Sequence, residues 1–125
     1  MPRYFSMEEA NATLDEVRSV VEEIMHIHGR LLEQQPEAWS AIERAAGNGG
    51  SRAASRLVPD FDRLRLLVHG LQERGVILKD MGMGLLDFPC LREGREVYLC
   101  WKYGEERISF WHDVDAGFAG RQPLE

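Results

Sequence analysis

The chain of 125 residues has two cysteines, Cys90 and Cys100, and they lack the C-x-x-C spacing of zinc or dithiol sites. Free thiols in a reducing compartment are the expectation. Basic side chains are not in excess either. The formal net charge is -6, which argues against nonspecific nucleic-acid binding, since that requires a basic surface. No apolar run reaches the length of a bilayer span, and Met1 to Phe5 leads into a capped helix instead of a signal sequence. A cytoplasmic protein with neither nucleic acid nor membrane as partner is therefore expected. The glycine run Gly47-Asn48-Gly49-Gly50-Ser51 has no preceding strand and no Gly-Lys-Ser/Thr ending, so it is not read as a phosphate-binding loop. No nucleophile–base signature or metal-ligand spacing stands out, and no cofactor is assigned.

What is present is an ordinary globular composition, 44% hydrophobic and 29% charged, in a length suited to one domain. The chain divides into a helical part (6–75), a β-hairpin part (76–112) and a C-terminal loop (113–125). Ser6-Met7-Glu8-Glu9 is a capping box that starts a helix. Met7, Ala10, Leu14, Val17, Val21, Ile24, His28 and Leu31 then recur at three- and four-residue steps, with Val20 and Ile27 widening the stripe. His28 is the one polar residue on that seam, read as a register-setting or edge residue before a ligand. Such a helix is about 40 Å long, more than a small sheet covers, which points to a partner helix or a second subunit. After Pro36 a short helix is expected over Glu37 to Ala46, burying Trp39 and Ile42. A second long helix is expected from around Leu57 or Pro59 to Arg74, stopped by Gly75. Residues 1–34 carry three basic and seven acidic side chains and residues 52–75 carry five and three, which suits antiparallel neighbours.

Two hairpins follow. Val76 to Lys79 and Leu85 to Phe88 flank a turn at Asp80 to Gly84, with Asp80 and Asp87 read as turn or strand-end acids. The second hairpin alternates through Val97, Leu99, Trp101 and Tyr103, turns at Tyr103 to Glu106, and returns through Ile108, Phe110 and His112. The expected register sets Trp101 opposite Ile108, Leu99 opposite Phe110 and Val97 opposite His112. Tyr98 and Trp111 then form an aromatic pair on the reverse face, a candidate interface. The fold class is thus α+β: two long antiparallel helices plus a short one, packed on a small antiparallel sheet of two β-hairpins. If a small molecule or ion binds, the expected site is where the last strand ends, among His112, Asp113, Asp115 and Arg121. Arg121 suits a small anionic ligand, or else ties the tail down by pairing with Asp113 or Asp115.

Several stretches resemble a known family. Glu8-Glu9-Ala10-Asn11, Lys79-Asp80, Gly84-Leu85 with Asp87-Phe88-Pro89, Gly94 through Trp101, and above all Trp111-His112 through Asp115-Ala116-Gly117-Phe118-Ala119-Gly120-Arg121 are similar to the uncharacterised bacterial domain-of-unknown-function family numbered 2203. The resemblance implies a small bacterial cytoplasmic protein and supplies no catalytic residues. On the residues alone, the reading favoured is a noncatalytic module that forms a homodimer and binds a partner or small ligand. The alternative is a metal-dependent enzyme or metal-binding protein using His112, Asp113 and Asp115 with Asp80 or Asp87.

Overall fold

The computed structural model describes residues 3–34 and 52–124. Two helices, α1 (Met7–Glu33) and α2 (Arg52–Glu73), precede five strands: β1 (Ile77–Asp80), β2 (Leu85–Arg92), β3 (Arg95–Lys102), β4 (Phe110–Asp113) and β5 (Gln122–Pro123). All neighbouring strands are antiparallel, in the order β1-β2-β3-β4-β5. The α+β class is as the helix-then-strand order implies. The expected short helix over Glu37 to Ala46 and the glycine run after it lie outside the described residues.

The capping box starts α1, with the Glu9 N–H donating to Ser6 Oγ at 3.0 Å and the Ser6 N–H to the Glu9 carboxylate at 2.8 Å. Its seam is filled by the chain itself. Ala10, Leu14, Val17, Val21, Ile24, Ile27 and Leu31 join Leu64, Leu67 and Leu71 of α2 and Leu86, Phe88, Leu99 and Trp101 of the sheet in one buried cluster. Ile27 takes the buried place that the spacing gave to His28, which lies half-buried beside the β1–β2 turn. Most of the seam is covered within one chain, while Met7, its first residue, is 37% exposed. The two helices run antiparallel and are bridged by Arg30–Asp60 at 2.7 Å and Arg63–Glu23 at 2.7 Å. α2 starts earlier than expected, and Pro59 sits inside it, where the ring removes one backbone donor.

The first hairpin turns at Gly84, whose φ of +64° and close packing leave no room for a side chain: a Cβ there would lie 2.7 Å from both Met25 Sδ and Tyr103 Cβ. Asp80 is a turn acid, accepting from the Met83 N–H at 2.8 Å.

The second hairpin departs from the expected register. Leu99 faces Trp111, Tyr98 faces His112, Cys100 faces Phe110 and Val97 faces Asp113. The cause is the wider connection between β3 and β4. The Glu105 carboxylate accepts the Lys102 N–H at 2.7 Å, the Trp101 indole N–H donates to the Glu105 carbonyl at 2.8 Å, and Arg18 of α1 donates to the carbonyls of Glu105 and Glu106. Ile108 thus reaches the core from a loop, its N–H on Asn11 Oδ1 at 3.0 Å, and the alternation restarts at Phe110. Trp111 accordingly turns to the helix side, under Arg92 and Arg95, and does not pair with Tyr98 on an outer face. His112 turns to the outer side, where its ring meets Tyr98 edge-on at 5.6 Å.

Candidate metal centre

Alternation on three adjacent strands gives the sheet two different faces. Leu86 and Phe88 of β2 and Leu99 and Trp101 of β3 point at the helices. The residues between them, Asp87 and Cys100, point away, and they stand directly opposite each other in the β2–β3 ladder. One strand further, His112 of β4 lies on the same outer face, opposite Tyr98 and diagonal to Cys100. Asp87, Cys100 and His112 are all buried, at 1%, 0% and 2% exposure, although no α-helix among the described residues covers this face. Their donor atoms, one carboxylate oxygen, one thiol sulfur and one imidazole nitrogen, all lie within 4.8 Å of one another.

Hydrogen bonds orient the set. His112 Nδ1 is 2.8 Å from the carbonyl oxygen of Asp113, which can only accept, so Nδ1 carries a proton. Nε2 is thereby turned to the cluster, 3.0 Å from Asp87 Oδ1. This is the arrangement in which a backbone carbonyl fixes the tautomer and leaves the other nitrogen as the ligand. One proton lies between Nε2 and Oδ1, whichever of the two groups formally carries it. Burial raises the Asp87 pKa above the ordinary carboxylate value, against the opposing pull of His112 and Lys79. Burial, reinforced by the Asp87 charge, pushes the Cys100 thiol up to about 12. Without a metal the thiol is therefore protonated at neutral pH.

Thiolate, imidazole and carboxylate suit zinc and other late first-row divalent ions, whereas magnesium and calcium prefer all-oxygen cages. Ligand atoms around tetrahedral zinc stand about 3.3–3.8 Å apart, given bonds of about 2.0–2.3 Å, so an ion would widen the Nε2–Oδ1 pair slightly from 3.0 Å and draw in the wider separations, which stay within 4.8 Å. Charge also balances. Losing the shared proton and the thiol proton leaves two negative charges, which one divalent cation neutralises inside a site with little access to water.

Of the residues expected at a site, His112 is central. Asp113 contributes its carbonyl, while its carboxylate pairs with Arg95 at 2.9 Å. Asp115 is exposed in the loop and joins no cluster. Arg121 does anchor the tail, but on Glu105, at 2.7 and 2.8 Å, and on neither Asp113 nor Asp115. Tyr98 is half-buried against His112, and Trp111 packs on the core side. Cys100 was not expected as a ligand. The signal for it was a polar residue set singly between large apolar ones, Leu99-Cys100-Trp101, as Asp87 is set in Leu86-Asp87-Phe88. The expectation of a noncatalytic module is overturned by this buried triad, which is the chemistry of the metal-centred alternative.

The chain matches the family model described as Uncharacterized conserved protein (DUF2203) over residues 3–124, and it belongs to that family. Neither a curated protein nor a solved structure matches it. No helix among the described residues is long and apolar enough to cross a membrane.

Proposed function

We propose that this member of the DUF2203 family is a metal-binding protein whose centre is Asp87, Cys100 and His112, holding one zinc or similar late first-row divalent ion. The observation that carries the reading is the convergence of three different donor types, all buried, on one point of the outer sheet face. The lock on His112 Nδ1 supports it, because it directs Nε2 at the ion. Three protein ligands leave a fourth position on a tetrahedral ion, the arrangement used where zinc activates water or polarises a substrate. Metal-dependent catalysis is thus within the chemistry of the site. Unbridged Cys90 and Cys100 support a reducing, cytoplasmic setting.

Elemental analysis of the chain purified without chelator, followed by calorimetric titration of the stripped protein with zinc, tests this reading. One metal per chain is expected for wild type, and none for Cys100→Ser or His112→Ala. A wild-type chain that carries no metal and takes up no zinc contradicts it.

A further inference from the structure

Among the described residues no α-helix lies on the face that carries the three ligand residues, and the arm that follows β4 packs there beside them, on Phe110 and at the Cys100 carbonyl. The arm begins directly after Asp113, the last residue of β4, whose carbonyl holds His112. At its far end it returns to the sheet as the 3₁₀ turn Phe118–Gly120 and β5, which pairs with Phe110 and Trp111. Arg121 lies between these two elements. Its Nη2 donates to both oxygens of Glu105, at 2.7 and 2.8 Å, and reaches the carbonyl of Cys100 at 3.4 Å. The guanidinium packs on the rings of Phe110, at 4.1 Å, and Phe118, at 4.7 Å. Phe110 is the cross-strand partner of Cys100. Glu105 is itself fixed by the Lys102 N–H and the Trp101 indole N–H, so the arm is tied to the strand that carries Cys100.

We propose that Arg121 is a positioning residue of the metal centre: with Glu105 it latches the C-terminal arm over the outer face and sets how long a bound metal stays. This rests on the metal reading above. The arm reaches one ligand residue directly, Cys100 at its backbone carbonyl through Arg121, and it continues from Asp113, the last residue of β4, whose carbonyl holds His112. An ion at donors this deeply buried can enter or leave only when the cover opens. Opening the latch gives up the short β4–β5 pairing and leaves the ladder from β1 to β4 in place. A single nitrogen, Nη2, makes all of the polar contacts, while Nε is buried without a partner among the described residues. Such an end-on contact is weaker than a two-nitrogen fork on a carboxylate.

The test is the rate at which the cobalt(II)-loaded chain gives up its metal to excess EDTA, well below the melting temperature. Arg121→Ala and Glu105→Gln are expected to keep the wild-type cobalt spectrum, since no ligand is changed and the amide oxygen left by Glu105→Gln still accepts the Lys102 N–H that holds the β3–β4 register. They are expected to release the metal about 10–100 times faster, the usual scale for loss of groups that orient metal ligands. Arg121→Lys retains the charge opposite Glu105 but not the flat stack, and its rate should fall between. Release at the wild-type rate from Arg121→Ala overturns the latch, and Glu105→Gln decides in the same way should Arg121→Ala fail to fold. A wild-type chain that takes up no cobalt overturns the metal reading and the latch together, whereas uptake with unchanged release rates overturns the latch alone.

Discussion

The two faces of the sheet are made from the same strands and do different work. On the inner face, Leu86, Phe88, Leu99 and Trp101 are buried by α1 and α2 in an apolar cluster. On the outer face, one residue along each strand, Asp87, Cys100 and His112 are as deeply buried and are all ionisable. Burial of apolar groups stabilises at roughly 25 cal/mol per Å², so the inner face needs no further explanation. Burial of three ionisable groups costs free energy unless they satisfy one another or an ion. The difference separates residues that hold the fold from residues that carry its chemistry.

Substitutions on the two faces should therefore break different things. Trp101→Ala removes the largest inner side chain and its indole bond to Glu105, and it should lower stability by about 3–5 kcal/mol, read as a shift in urea midpoint. Next in size is the response to metal. Zinc at about 100 times its dissociation constant should stabilise the wild type by about 2.7 kcal/mol through binding to the folded state alone. Folded inner-face variants such as Leu99→Val should retain that gain.

Removing an outer residue should do the reverse. His112→Ala leaves the Asp87 carboxyl buried without its partner, a loss of about 1–3 kcal/mol in the zinc-free protein, and it should abolish the zinc-dependent gain altogether. A His112→Ala chain still protected by zinc would show that the ion binds elsewhere.

A further comparison lies in the pH dependence. The Cys100 thiol is raised on folding from 9.0 to about 12. A group raised in this way favours the folded state while it stays protonated. Its contribution is complete below pH 9.0 and is lost as pH climbs towards 12. Cys100→Ala should consequently lose less stability than wild type between neutral and alkaline pH, seen as a narrowing gap between their urea midpoints. Metal loading has the opposite dependence: affinity should rise with pH, because each ion displaces the thiol proton and the one shared by Asp87 and His112.

The inner face was legible in the chain because its physics is periodic. The steps from Ala10 to Leu31 and the alternation Val97, Leu99, Trp101 identify the helices and the buried side of β3 without further information. The outer face was only half legible. His112 could be singled out, and Asp87 could be named as a possible partner in a metal site, but Cys100 could not be joined to them. Ligands 13 and 12 residues apart on separate strands have no spacing signature, and their meeting depends on register. That register turned on Glu105, whose carboxylate and carbonyl draw the connection after β3 away from a tight hairpin. With a tight turn, His112 faced the core; with the wider loop, it faces Asp87. Arg121 was recognisable as a tether, but its true anchor, Glu105, is remote from the acids beside it in sequence.

The most direct test of the outer face as a metal centre is the absorption spectrum of the stripped chain titrated with cobalt(II). A thiolate-to-cobalt charge-transfer band with intense tetrahedral ligand-field bands is expected, saturating at one cobalt per chain and absent from Cys100→Ser. Weak octahedral bands identical in wild type and Cys100→Ser would contradict the assignment of Asp87, Cys100 and His112 as the ligands.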